Sequence, residues 1–202
     1  MASHIGILGG TFDPPHLGHL ILASEARQQL NLARLLWMIT PTSPHKIGQS
    51  VTEPRQRVEM VARAIADEPA FELSTLELDR PAPQYTIDTL EILQRQNPAS
   101  ALTLLLGADS LSGLHTWHRP ADLVRACHTI GVMRRPGESI RLEALDGLLP
   151  GLAEKVRFIE APLFEISSRE IRRRVKVGLE FRYFVPRAVF DYIQTNRLYE
   201  GE

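Results

Sequence analysis

The chain has 202 residues, enough for one substantial hydrophobic core, and is expected to form a single domain over 1–202. Its 23 Lys and Arg nearly cancel 24 Asp and Glu, so no overall field draws it to nucleic acid or acidic membrane, and cationic groups must act locally. A single cysteine, Cys127, excludes an internal disulfide framework and suits a reducing cytoplasm.

In chain order, Ile5 to Leu8 is a short apolar run of the kind a buried parallel strand shows. Gly9-Gly10-Thr11 follows as a turn whose backbone can pass close to a ligand, because two of its residues lack a β-carbon. From His16 the periodicity turns helical, with Leu17, Leu20, Ile21, Ser24 and Leu30 expected on or near one face. Leu35 to Thr40 reads as a second buried strand, ending in a polar, proline-bearing loop that carries His45 and Lys46. Thr52-Glu53-Pro54 is a helix start, and Val58, Val61, Ala62 and Ile65 give the helix over 55–66 its apolar spacing. Phe71 to Leu78 alternates as a strand and is broken by Arg80-Pro81-Ala82-Pro83. Thr86 is expected to cap the next helix, which Asn97-Pro98 ends.

Ala101 to Leu106 is the clearest buried strand, far too short to span a bilayer, and it runs into Gly107-Ala108-Asp109. Short helices over 111–114 and 121–125 flank a break at Trp117-His118-Arg119-Pro120, and Cys127 beside the next strand reads as a small buried hydrophobe. That strand, His128 to Met133, leads to Arg134, and a last one covers Val156 to Glu160. Ser167-Ser168-Arg169-Glu170 has capping-box spacing, and its helix stops at Gly178. Pro186 opens a terminal helix over 187–195. The start, which enters the first strand directly, leaves no room for a signal peptide, so the protein is expected in the cytoplasm.

Strands alternating with helices indicate right-handed βαβ units, hence a Rossmann-like α/β fold with a mostly parallel sheet. The core is expected over about 1–165, followed by a helical segment over 166–202. In such sheets ligands sit beyond the carboxyl ends of the strands. The groups over 9–19, His45-Lys46, Asp109 and Arg134 all follow strands, which argues for one shared site.

A glycine turn between a buried strand and a helix start offers an anion free N–H groups and the positive end of a helix dipole. His16 and His19, three apart at that start, can reach the same anion. The turn lacks G-x-G-x-x-G spacing, and no G-x-x-x-x-G-K-[ST] or serine or cysteine nucleophile motif occurs. His16 and His19 could form half of a zinc site, but further ligands would have to come from scattered histidines or carboxylates. Phosphate handling without a covalent intermediate remains.

The run from Gly9 to His19 resembles the G-G-T-F-D-P-x-H-x-G-H signature of the nucleotidyltransferase superfamily. Within it the chain most resembles the bacterial nicotinate-nucleotide adenylyltransferases, over essentially its whole length. The resemblance is carried by the Pro41 to Lys46 loop, Tyr85-Thr86, Gly107-Ala108-Asp109 with Trp117, Gly131 to Pro136, Ile166 to Arg172, and Val185-Pro186 to Leu198-Tyr199. Two positions depart from the family pattern: Arg169 stands where threonine is usual, and Ser43 where proline is.

This resemblance implies attack by the 5′-phosphate of nicotinate mononucleotide on the α-phosphate of ATP, with Mg²⁺ accompanying ATP and pyrophosphate leaving. Catalysis would fall to His16, His19, Lys46 and Arg172. ATP would meet Gly9, Gly10, Thr11, Phe12, His16, His19, Gly107, Asp109, Arg134, Ser167, Ser168 and Arg172, with Asp109 on a ribose hydroxyl. The acceptor would meet Gly9, His45, Lys46, Tyr85, Thr86, Trp117 and His118, with Trp117 offering a flat face to the pyridine ring and Thr86 meeting the carboxylate. Two rival readings stand beside it: another adenylyltransferase of the superfamily, such as one acting on phosphopantetheine, or a nucleotide-binding module without catalysis. The sequence leaves the oligomeric state open, a homo-oligomer included.

Overall fold

The computed structural model describes residues 3–41, 51–133, 142–162 and 165–201. Six strands form one sheet: β1 (His4–Gly10), β2 (Arg34–Ile39), β3 (Phe71–Ser74), β4 (Ala101–Gly107), β5 (Thr129–Met133) and β6 (Val156–Ile159). Their order is β3-β2-β1-β4-β5-β6, and every neighbouring pair is parallel. Chain order reverses between β1 and β4, which opens a crevice at the carboxyl ends of those two strands.

Two helices, α1 (Leu17–Gln29) and α2 (Pro54–Ile65), cover one face of the sheet, where Leu22, Ala23, Ala26, Val61 and Ile65 pack on Leu8, Leu35, Trp37, Ile39 and Leu105. The other face carries α3 (Thr86–Gln96), α4 (Ala108–Ser112), α5 (Pro120–Ala126), α6 (Leu142–Leu148) and α7 (Leu152–Lys155). There Ile87, Leu90, Leu111, Leu123 and Leu152 meet Ile5, Ile7, Leu36, Leu104 and Ile130. Apolar burial on both faces explains why the strands read as continuous hydrophobic runs rather than alternating ones.

The last two helices, α8 (Ser168–Lys176) and α9 (Arg187–Thr195), form a third, smaller core. Ile171, Phe181, Val185, Val189, Ile193, Leu198 and Tyr199 close on Met60 of α2. Helix α2 therefore lies between the sheet and the C-terminal segment, joining the two cores.

Four local expectations are corrected. The buried face of α1 is Leu22, Ala23 and Ala26, with Ser24 exposed, because two alanines let the helix axis approach the sheet. In α2 the buried residues are Arg57, Met60, Val61 and Ile65, and Ala62 faces solvent. Strand β3 pairs with β2 only through Ser74. Beyond it Thr75 turns the chain, its carbonyl accepting from the Asp79 N–H at 3.0 Å and its hydroxyl donating to the Asp79 carboxylate at 2.8 Å. Tyr85, not Thr86, is the N-cap of α3.

Candidate active site

The crevice at the β1/β4 switch point is lined first by backbone. A Cβ on Gly9 or on Gly107 would meet nothing within 4 Å, so these neighbouring strand ends face open space. Gly10 is different: a Cβ there would lie 2.8 Å from the Phe12 ring. Phe12 itself has φ 49°, a left-handed conformation that costs a bulky residue roughly 1–3 kcal/mol. Its ring, only 3 % exposed, wedges between Trp37 and His19 with centroids 5.1 Å from each. Burial leaves main-chain atoms, not the ring, for any contact between Phe12 and a nucleotide.

His16 is the N-cap of α1 and His19 lies in its first turn. The two imidazoles stack, with centroids 3.7 Å apart and planes inclined by 26°. The His16 main-chain N–H donates to His19 Nδ1 at 3.2 Å. An accepting Nδ1 cannot carry a proton, so this contact assigns the hydrogen of a neutral His19 to Nε2 and makes that atom a donor. His16 is 7 % exposed, and burial lowers its pKa to about 4, so it is neutral near pH 7. Its Nδ1 and Cε1 lie 3.1 and 3.2 Å from where a Gly18 Cβ would stand. The glycine between the histidines thus makes room for the first imidazole. Neutral N–H donors at a helix N-terminus can stabilise charge gathering on a phosphate without a proton transfer.

Around these rings the loop from β1 to α1 is held from three directions. Arg57, 0 % exposed, donates from Nη1 to the carbonyls of Thr11 and Thr40 at 2.9 and 2.8 Å. Its Nη2 reaches the Pro41 carbonyl at 2.9 Å, and its Nε the Thr52 carbonyl at 2.9 Å. From α8, Ser168 Oγ donates to the Pro14 carbonyl at 2.8 Å and Arg172 Nη1 to the Asp13 carbonyl at 2.6 Å. The Leu17 N–H donates to the Phe184 carbonyl at 3.0 Å. Asp13, 3 % exposed, accepts from the Thr52 N–H at 3.1 Å and from the Tyr199 hydroxyl at 2.7 Å.

Ser168 and Arg172, expected on the triphosphate side, therefore lie against the loop that carries the histidines, with duties the sequence did not reveal. Ser168 and Arg172 brace the loop's main chain. Ser167 caps α8, its Oγ accepting from the Glu170 N–H at 3.2 Å. The Glu170 carboxylate completes no reciprocal box and instead receives Arg173 and Arg174. Thr11 is buried with its carbonyl on Arg57, and Asp109 stands exposed in the first turn of α4, at the mouth opened by Gly107.

On the far side of the crevice, Tyr85 and His118 stack with centroids 3.9 Å apart, which brings the start of α3 onto the loop before α5. Arg119 sets that approach by pairing with Glu91 at 2.7 Å, Asp122 at 2.7 Å and Asp88 at 3.7 Å. Trp117 is half-buried against the larger core, and Thr86 is the first residue of α3. All four residues expected to meet the acceptor from these two loops thus lie in one neighbourhood. His45, Lys46 and Arg134 lie outside the described residues.

Arg57, Asp13 and Tyr199 were missed as site-forming residues. Arg57 had a signal, since it shares a helix face with Val61 and Ile65 at four-residue steps, and a cation on a buried face needs acceptors. Among the described residues no group of three His, Cys, Asp or Glu could hold a metal ion. Both oxygens of Asp13, the carboxylate of the loop that leads into the histidines, are engaged by protein donors. A concavity of about 520 Å³ lies at the amino ends of β1, β4 and β5, lined by His4, Cys127, His128 and Lys155 among others. Its lysine is bound to the carbonyls of Val124, Arg125 and Cys127, and burial pushes the Cys127 thiol up to about 12, so it offers no comparable chemistry.

Comparison with known proteins accords with this geometry. The Cytidylyltransferase-like family pattern matches residues 7–174. A protein of Roseiflexus sp. (strain RS-1) named "Probable nicotinate-nucleotide adenylyltransferase" is 44 % identical over 195 residues, covering 96 % of this chain and 97 % of its own. One of the same name from Thermomicrobium roseum is 39 % identical over 98 % of this chain and 92 % of its own. The solved Plasmodium falciparum nicotinic acid mononucleotide adenylyltransferase complexed with NaAD shares the fold, with TM-score 0.78 at 20 % identity over 99 % of this chain and 98 % of that one. The chain belongs to the cytidylyltransferase-like family and, within it, to the nicotinate-nucleotide adenylyltransferases.

Proposed function

We propose that this chain transfers AMP from ATP to nicotinate mononucleotide, giving nicotinate adenine dinucleotide (deamido-NAD) and pyrophosphate in NAD biosynthesis. The observation that carries the reading is the stacked His16–His19 pair at the start of α1, beside a strand end that Gly9 leaves open. A phosphate oxygen of the acceptor attacks the α-phosphorus, forming one P–O bond as the bond from that phosphorus to the bridging α–β oxygen breaks. The acceptor is already an anion, so no general base is needed. Transfer of this kind depends on positioning and charge stabilisation.

His19, donating from Nε2, and His16 hydrogen-bond the α- and β-phosphates where charge develops. Lys46 holds acceptor or leaving phosphates, and the guanidinium N–H groups of Arg172 not bound to Asp13 face the triphosphate, with Arg134 near adenine or triphosphate. Ser167 keeps α8 in register while Ser168 braces the loop that carries the histidines. Gly9 and Gly107 let the nucleotide backbone approach, and Asp109 accepts a ribose hydroxyl. Trp117 stacks on the pyridine ring, while Thr86 at the uncapped start of α3 directs N–H groups to the carboxylate. The Tyr85–His118 stack walls the same pocket, and His45 meets the acceptor. Both oxygens of Asp13 are engaged by protein donors, so Mg²⁺ would accompany ATP rather than sit in a protein cage and would supply charge neutralisation on the phosphates, to which the protein's own cationic and N–H groups add theirs. The reaction takes place in the cytoplasm.

Incubating the protein with ATP, Mg²⁺ and either nicotinate mononucleotide or phosphopantetheine, and measuring pyrophosphate release, tests the reading. Release with the first acceptor is expected. Release with phosphopantetheine alone would replace the assignment, and ATP binding without release from any acceptor would favour a non-catalytic module.

A further inference from the structure

The Tyr199 hydroxyl lies 186 positions from the loop it touches. It donates to Asp13 Oδ1 at 2.7 Å in a contact sealed from solvent, with Tyr199 5 % and Asp13 3 % exposed. Tyr199 reaches it at φ 70°, a left-handed backbone that a bulky side chain adopts only when its surroundings impose it. Arg197, two residues earlier, is also left-handed at φ 50°. The chain thus leaves α9 through two unfavourable residues and ends with a phenol buried against the signature loop. Leu198 and Tyr199 pack in the C-terminal core beside Met60, and the hydroxyl also lies 3.7 Å from Met60 Sδ.

Asp13 is the residue through which this contact acts. Its Oδ2 accepts from the Thr52 N–H, its carbonyl accepts from Arg172, and the buried Arg57 guanidinium attracts its charge. Three residues further on, the His16 N–H orients His19 through Nδ1. Burial first, and then the neighbouring carboxylate, push the phenol above its ordinary pKa, so it remains a donor across the working pH range.

We infer that Tyr199 is a positioning residue for nucleotidyl transfer: its hydroxyl, through Asp13, latches the C-terminal segment onto the β1–α1 loop and holds the His16–His19 pair in its donating geometry. The inference rests on the adenylyl-transfer reading above. The latch touches no substrate, so its loss lowers turnover and leaves substrate affinity in place.

Steady-state kinetics of Tyr199→Phe, Asp13→Asn and the double variant test this. Tyr199→Phe is expected to lower kcat about tenfold, with KM for ATP and for nicotinate mononucleotide within twofold of wild type. Because the hydroxyl acts through Asp13, the double variant is expected to be no slower than Asp13→Asn alone. A folded Tyr199→Phe protein with kcat within twofold of wild type, or losses that multiply in the double variant, overturns the inference. Imidazole ¹⁵N chemical shifts give a readout independent of turnover: His19 Nδ1 is expected to be unprotonated in wild type and mixed in Tyr199→Phe, and unchanged shifts would refute the latch. Wild-type protein that releases no pyrophosphate would defeat the adenylyl-transfer reading while leaving the ¹⁵N comparison able to judge the latch.

Discussion

The two sides of the crevice are built differently. On the histidine side the carbonyls of Thr11, Asp13 and Pro14, the carboxylate of Asp13 and the N–H of Leu17 are all held by distant parts of the chain. Arg57 comes from α2, Ser168 and Arg172 from α8, Phe184 from the connection to α9, and Tyr199 from the end. On the acceptor side, Tyr85, Thr86, Trp117 and His118 come from two surface loops joined by one ring stack and the exposed ion pairs of Arg119. Exposed pairs contribute little to stability, typically below about 1 kcal/mol. The difference matches the two tasks: donors aimed at a transition state gain from being rigid beforehand, whereas a pocket that admits a substrate must open.

Breaking the histidine side gives the largest expected effects. His19→Ala should lower kcat by about 10²–10³-fold, the usual loss when one donor to developing charge is removed, while the Kd for ATP measured by calorimetry changes little. Equal losses in both would make the histidine a binding group only. Next comes Arg57→Met, which keeps bulk on the buried face of α2 but strands the carbonyls of Thr11, Thr40, Pro41 and Thr52. It also leaves Asp13 without its buried cationic neighbour. A loss of about 3 kcal/mol is expected, seen in a melting scan as a fall in Tm of roughly 10 °C for a chain of this size. An unchanged Tm would mean that the cation does not brace the loop.

The smallest expected effect lies across the crevice. Trp117→Ala should raise the KM for nicotinate mononucleotide about tenfold, equivalent to roughly 1.4 kcal/mol of stacking, with the KM for ATP held within twofold. Trp117→Phe should recover most of the loss. An unchanged acceptor KM would make the tryptophan a core residue alone.

What the sequence disclosed follows the same division. Buried parallel strands announce themselves as apolar runs, so the order of elements could be read directly, and His16 and His19 declare their common direction by local spacing. The inner face of α1 was hidden because Ala23 and Ala26 approach the sheet by being small, and an alanine makes a weak apolar stripe. β3 was read too long because Leu76 and Leu78 also alternate, although one residue out of phase with Phe71 and Leu73, in the turn that Thr75 and Asp79 close. The role of Arg57 was not legible, since nothing local shows that four carbonyls from two loops converge on it. The Asp13–Tyr199 contact joins opposite ends of the chain, and no periodicity encodes such a pair.

Amide hydrogen exchange, followed residue by residue with and without nicotinate mononucleotide, compares the two sides most directly. Among the non-proline amides over 11–20, the protein without ligand should already be protected, and nicotinate mononucleotide should add protection chiefly at Tyr85 to Thr89 and Trp117 to Arg119. Fast exchange over 11–20 that slows only when ligand binds would contradict a histidine site organised in advance by the C-terminal segment.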